Sequence, residues 1–258
     1  MTLEEQRGCM EPLQLAGKLI MENGGETYRV EETITRMGQA FGLREVESFA
    51  VPSGIFISYR LDNGESVSSV KRVHRGSTNL TRVDRVNSVS RRVVTHGLNA
   101  EEAAKELREI EDTQPPRRWM PAAAALCGAG FTLMFGGNAP DFALAFAVAG
   151  LAQGISMLLE RFHMQALIAT LLASLLTTLL PMLAETVWPG FVTEAVIAGA
   201  LMPLLPGLTM TNAVQDTLRG DMVSGLSSGV LALLIAALVA GGTLIAATCF
   251  KLMTGGAV

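Results

Sequence analysis

The sequence predicts a mainly α-helical membrane protein: a small N-terminal cytosolic α+β domain (1–117) followed by a transmembrane domain of about five helices (118–258). Charge distribution is the first observation behind this. Residues 1–118 hold 17 of the 20 Lys and Arg and 18 of the 24 Asp and Glu. The 140 residues after them carry three basic and six acidic side chains, most of them between long apolar runs. The runs are the second observation, because a helix needs roughly 20 apolar residues to cross a ~30 Å hydrocarbon core. The third is the way the few positive charges of that half alternate from loop to loop. A soluble domain joined to several spans points to transport before it points to metabolism.

In the N-terminal domain, residues 3–22 read as a helix with Leu13, Ala16, Leu19 and Ile20 roughly on one face, ended by Gly24-Gly25. Thr27–Phe41 is a second helix through Val30, Ile34 and Met37, ended by Gly42. The pattern then changes to strands over Val46–Ala50, Gly54–Arg60 and Ser66–Val73, with Asn63-Gly64 as the turn between the last two. Helical spacing returns from Asn79 with Leu80, Val83, Val86 and Val93, and a further helix spans Ala100–Ile110 with Asn99 as its N-cap. Gln114-Pro115-Pro116 is the expected linker.

The spans are expected at 119–135, 142–159, 166–184, 191–205 and 222–250. The fourth is short and stops at Pro206-Gly207, and the fifth is longer than a crossing needs, so its Gly225/Gly229 end is expected at an interface or against a neighbour. Arg117 and Arg118 precede the first span, Arg161 separates the second from the third, and Arg219 separates the fourth from the fifth. The loops around Asn138 and Trp188 have no Lys or Arg, so the rule of positive charge inside places the N-terminus in the cytoplasm and the C-terminus outside. Lys251 alone opposes this. The expected location is the inner (cytoplasmic) membrane, multi-pass. An odd span count also lets a homologous five-span partner insert upside down, the inverted-repeat arrangement of many secondary transporters.

Several functions are disfavoured. The net charge is −4, and residues 1–118 sum to −1, so no basic domain offers itself to nucleic acid. Cys9, Cys127 and Cys249 are far apart, which gives neither a disulfide framework nor a metal site. The first residues lack a basic stretch followed by an apolar one, so no cleaved signal peptide is expected. No G-x-x-x-x-G-K-[ST] motif occurs, which disfavours ATP hydrolysis by this chain. No cofactor and no catalytic residue is assigned. Ser53, His74 and Asp84 are the residue types of a hydrolase triad, but their spacing fixes none and G-x-S-x-G is missing, so a membrane-anchored hydrolase stays an outside alternative.

The main candidate site is Leu204–Asp221. Pro206 removes a backbone donor and Gly207 frees the chain from helical dihedrals. A break at membrane depth is tolerated only where it faces protein or a water-filled cavity. Thr209, Thr211 or Asn212 can then cap a following half-helix, whose N-terminus favours an anion such as a carboxylate. Asp216 and Arg219, three apart, can pair, or Asp216 can bind a coupling proton; a capped cytoplasmic turn with solvated charges is the plainer alternative. Pro206, Gly207, Thr211, Asn212 and Asp216 are thus the substrate-binding candidates, joined by Gln153 in the second span. Ser156, Thr177 and Thr178 fit helix-to-helix hydrogen bonding better. Glu194 reads as an interfacial carboxylate and His163 as a surface histidine. Glu26, Arg29, Glu31 and Glu32 suit the first turn of the second helix, where acidic residues complement the dipole. Arg82, Arg85, Arg91 and Arg92 read as a solvated face.

Four stretches together resemble the threonine/serine exporter family: Gly24-Gly25-Glu26-Thr27 leading to Arg29-Val30-Glu31-Glu32, Val51-Pro52-Ser53-Gly54-Ile55, Arg75-Gly76 before the Val-rich helix, and Leu205-Pro206-Gly207 with Asn212, Asp216 and Gly220. The resemblance covers nearly the whole chain in order. It implies the larger subunit of the split two-component form of that family, which has a cytosolic domain and five spans and is linked to succinate export. The implied function is a secondary exporter subunit that moves a small carboxylate, succinate first, out of the cytoplasm. The implied partners are a smaller integral-membrane subunit of the same family and membrane lipid, in an oligomer. A threonine/serine exporter subunit, as in the fused members of the family, is the alternative.

Overall fold

The computed structural model describes residues 1–74, 78–113, 117–162 and 164–254, and of Arg117 only the backbone. The sequence readings at Arg75-Gly76, at the Gln114-Pro115-Pro116 linker and at His163 lie outside these residues. The chain forms two compact units: Met1–Pro115 with Leu208–Val230, and Pro116–Gly207 with Leu231–Val258.

In the first unit, α1 (Leu3–Gly8), α2 (Met10–Glu22) and α3 (Thr27–Ala40) precede a sheet of β1 (Arg44–Val51), β2 (Gly54–Arg60) and β3 (Ser66–Arg72). After it come α4 (Leu80–His96) and α5 (Ala100–Asp112). The helix expected over 3–22 is interrupted at Cys9, and the reason is Pro12. A proline has no N–H for the carbonyl four residues back, here Gly8, so α2 restarts with Pro12 in its first turn. Asn99 caps α5 as read from the sequence, and Asn79 caps α4 as well, each accepting from the backbone N–H three residues on. The sheet is antiparallel in the order β1-β2-β3. Strand alternation divides β2 cleanly: Ile55, Ile57 and Tyr59 are buried with Leu13, Ile20, Val30 and Ile34, while Phe56 faces outward with its cross-strand neighbours Phe49 and Val70. Removing each such aliphatic side chain from water is worth about 1.5–3 kcal/mol, so this core holds the unit together.

The unit also takes in α10 (Gly207–Leu218) and the first part of α11 (Met222–Met253), which continues into the second unit beyond Val230. The rest of the second unit is α6 (Met120–Met134), α7 (Ala139–Arg161), α8 (Ala166–Val187) and α9 (Thr193–Leu201), the last extended by a 3₁₀ turn at Met202–Leu204. Its helices approach through small residues. A Cβ on Gly199 would stand 2.5 Å from the Thr132 nitrogen and 2.7 Å from the Gly128 oxygen, so α6 and α9 meet backbone to backbone. Thr177 and Thr178 are buried and bond carbonyls one turn back, and Thr178 also reaches Thr243 at 3.2 Å. At one end, the fully buried Asp141 accepts from the N–H groups of Asn138 (2.7 Å) and Val192 (2.9 Å), while Glu185 accepts from Gly190 and Phe191. These two carboxylates fix the chain between α8 and α9.

Among the described residues, α7, α8 and α11 are long and apolar enough to cross a membrane. A fourth crossing is reached if the helices on either side of Leu205-Pro206 count as one. The structure does not by itself give the five spans read from the sequence. At 15 residues α6 is only about 22 Å long, short of a ~30 Å core.

Candidate functional site

The segment singled out in the sequence, Leu204–Asp221, contains a real break. Leu204 closes the 3₁₀ turn after α9, Leu205 is extended, and α10 starts at Gly207 immediately after Pro206. A residue before proline is driven out of helical geometry, which places the stop at Leu205. The expectation that Thr209, Thr211 or Asn212 caps the following helix is not met. α10 begins earlier, at Gly207, so all three lie inside it.

The side chains of α10 explain where it goes. Asn212 and Asp216 are one turn apart and buried. Asn212 donates from Nδ2 to the Gly24 carbonyl at 3.0 Å, and Asp216 Oδ2 accepts from the Thr27 hydroxyl at 3.1 Å. The next turn brings Arg219, whose guanidinium carbon is 3.5 Å from the centre of the Tyr28 ring. The anticipated Asp216–Arg219 ion pair is therefore not formed. The arginine is held over an aromatic face and the carboxylate turns toward the start of α3. Gly24, at φ 88°, ends α2 and turns its carbonyl toward Asn212; a left-handed residue here favours glycine.

Glu31, on the next turn of α3, extends the same patch. Its Oε1 accepts from the Ala50 N–H at 2.8 Å, and its own carbonyl accepts from Ser48. Ser224, in the first turn of α11, donates to the Ala50 carbonyl at 3.4 Å. Both polar groups of Ala50, at the end of an edge strand, are thus taken by side chains from α3 and α11. Burial lifts the Glu31 carboxyl above the usual glutamate range; the Ala50 bond opposes this, and the charges of Asp221 and Asp216 add to it. Glu26 is the N-cap of α3 and pairs with Arg29 at 2.8 Å instead of capping the helix with its side chain. α10 and α11 close on each other at Gly225, which lies against Ala213 and Thr217.

Of the six substrate-binding candidates read from the sequence, the structure brings Asn212 and Asp216 together and gives them Thr27, Tyr28, Gly24 and Glu31 as companions. Thr211 is exposed on α10, Pro206 and Gly207 mark the break, and Gln153 is half-buried on α7 in the second unit. Nothing in the sequence pattern marks Thr27, Tyr28, Ala50 and Ser224 as contacts of α10 and α11. The nearest signal is the run Gly24-Gly25-Glu26-Thr27, which carries part of the family resemblance and starts a helix. Ser53, His74 and Asp84 are all exposed, and no hydrogen bond or ion pair among the described residues joins them. No group of three or more metal-ligating side chains occurs among the described residues.

A broken-helix segment in a chain with several helices long and apolar enough to cross a membrane defines a multi-pass membrane protein. Residues 13–250 match the family described as "Putative threonine/serine exporter", and the chain belongs to that family. Two relatives named "Probable succinate transporter subunit YjjP" are similar over nearly their whole length. The one from Escherichia coli is 25% identical over 98% of both chains, and the one from Klebsiella aerogenes 26% identical over 96% of both. A "Probable threonine/serine exporter" from Mycobacterium tuberculosis is 24% identical over 81% of this chain and 40% of its own length. No solved structure matches.

Proposed function

We propose that this chain is one subunit of a secondary exporter that moves a small carboxylate, succinate first among them, out of the cytoplasm together with a smaller membrane subunit of the same family. The observation that carries the reading is the break at Leu205-Pro206, where α10 starts anew at Gly207 in an otherwise apolar half. Irregular backbone among membrane helices is stable only against protein or water, and a helix start favours a negatively charged group. In this reading Pro206, Gly207 and Thr211 handle the substrate, with Gln153 on the membrane side. Asn212 and Asp216 tie the same segment to the cytosolic fold.

Five crossings remain the best account of the charge pattern. The 3₁₀ turn at Arg117–Trp119 adds about 6 Å to α6, giving roughly 28 Å in all, whereas α9 with its own 3₁₀ turn reaches only about 20 Å and serves as a short fourth span that stops at the break. With Arg118, Arg161 and Arg219 on one side, the N-terminus is cytoplasmic, in the inner membrane.

The test is release of labelled succinate and of labelled threonine from proteoliposomes holding this chain alone or with the small subunit. Succinate release only with both subunits is expected. Threonine release instead would move the substrate to that of the exporter named in Mycobacterium tuberculosis, and succinate release by this chain alone would refute the two-subunit reading.

A further inference from the structure

Along the contact between α10 and the start of α3, nearly every polar group has a partner. Asn212 has the Gly24 carbonyl, Thr27 has Asp216 Oδ2, Arg29 has Glu26 and Arg219 has the Tyr28 ring. Asp216 is 2% exposed, and its second oxygen, Oδ1, is buried without a hydrogen-bond partner among the described residues. The buried Oε1 of the adjacent Gln215 also has none. Arg29 Nε, a donor, is likewise buried without a hydrogen bond, but its charge is taken up by Glu26 at 2.8 Å, so it is the carboxylate oxygen of Asp216 that has neither a donor nor a counter-ion.

The charged groups around Asp216 decide what fills that lack. On α3 these are Glu26, Arg29 and Glu31; at the end of α10 and in the turn after it they are Arg219 and Asp221. Neither arginine is ion-paired with Asp216, because Arg29 is held by Glu26 and Arg219 by the aromatic ring. Glu31 and Asp221 are like charges that disfavour a second carboxylate beside them. The Thr27 hydroxyl and backbone N–H, with the first turn of α3, favour one, but they leave Oδ1 without a donor, and an ionised carboxyl buried in that state carries a desolvation cost of several kcal/mol. A neutral acid keeps the Thr27 bond, since its carbonyl oxygen still accepts, and adds an O–H at Oδ1.

We propose that Asp216 holds a proton while α10 is docked on the start of α3, so that the contact is a proton-binding site and docking is coupled to proton uptake from water. Rising pH ionises Asp216 among Glu31 and Asp221 and loosens the helix from residues 24–28; falling pH fastens it. This rests on the contact seen in the first unit and not on the exporter reading.

Hydrogen exchange of the full-length chain in lipid nanodiscs tests it without any flux measurement, from about pH 5 to about pH 8. After correction for intrinsic exchange, protection of residues 24–31 should fall with rising pH, by up to about tenfold per unit across the titration. Protection of β2 at residues 55–60 should stay constant. Asp216→Asn imitates the neutral acid and should hold residues 24–31 protected at every pH. Glu31→Gln removes a like charge and should move the fall to lower pH. A wild-type profile flat with pH overturns the proposal. So does an Asp216→Asn variant with residues 24–31 exposed while β2 stays protected, and so does a fall abolished by Glu31→Gln, which would make Glu31 the proton site.

Discussion

Gly225 is where α10 and α11 come closest, and replacing it with alanine tests that packing directly. The new Cβ would stand 2.1 Å from Thr217 Oγ1 and 2.9 Å from both the Ala213 oxygen and the Thr217 nitrogen. The hydroxyl can turn away only by giving up its 2.8 Å bond to the Ala213 carbonyl, at about 1 kcal/mol. The backbone atoms have no rotamer to change, so the helices must part by several tenths of an ångström. Overpacking of this kind costs about 1–3 kcal/mol. Alanine returns up to about 1 kcal/mol of helix propensity over glycine. The net loss is about 2 kcal/mol, or roughly 4–8 °C in melting temperature for a chain of this size. Thermal unfolding of the full chain in detergent reads it, with Gly229→Ala as the matched control one turn later. There the new Cβ would meet only the Ala213 methyl at an ordinary 3.9 Å, so no loss is expected. Thr217→Ala added to Gly225→Ala should recover only part of the loss, because the two backbone contacts remain. If Gly225→Ala melts with the wild type, or Gly229→Ala melts as low as Gly225→Ala, the close approach of α10 and α11 is refuted.

Two further outcomes follow from the first unit. Because burial lifts the folded-state value of Glu31 above its ordinary 4.5, the native state binds its proton more tightly than the unfolded chain does. That contribution is fully present below about pH 4.5 and is lost as pH rises to the folded value, staying flat above it. Glu31→Gln, whose amide oxygen still accepts from Ala50, should remove this part of the slope, and an unchanged pH profile of melting would count against a buried Glu31. Cys9 is fully buried, and burial, helped by the Glu5 charge, pushes its thiol up to about 11. It should resist maleimide at pH 7 in the folded chain and react once denatured; rapid labelling of the native protein at Cys9 would show the α1–α2 junction to be open.

Local chemistry makes much of the first unit legible. Asn79 and Asn99 announce helix starts, Asn63-Gly64 announces the hairpin, and the alternation in Ile55, Ile57 and Tyr59 announces the buried face of β2. The Cys9 interruption is written in the sequence too, as Pro12, but its effect appears four residues upstream and is hidden by the good apolar spacing on both sides. The polar residues of Leu204–Asp221 stand out against their apolar surroundings, which makes that segment visible. Their partners are not visible, because Thr27 is 189 residues from Asp216 and Gly24 is 188 from Asn212. No periodicity within one element reports a contact that distant. Span counting is limited in a different way: composition marks where a chain is apolar, whereas crossing depends on helix length, and α6 is only 15 residues long.

Helix α10, twelve residues long, is fastened to the first unit along one stripe. Its first residue follows Pro206 directly, so any tilt of α10 changes the backbone at the break. Asn212 and Asp216, five and nine residues later, are fastened to the main chain at Gly24 and the side chain of Thr27. The far end is held by Arg219 on Tyr28 and by the turn into α11 at Gly220, with φ 95°. All three of these fastenings land within residues 24–28, the loop and first turn between α2 and α3. A rigid helix gripped along one stripe moves as its grip moves, and α2 and α3 are themselves fixed by the buried core of Leu13, Ile20, Val30 and Ile34. A contact that only packed α10 against the start of α3 would need no buried carboxylate, since an apolar face of the same size docks at lower cost. Asp216 there makes sense if the grip is to be released, and the loss of one proton is the smallest change that does so.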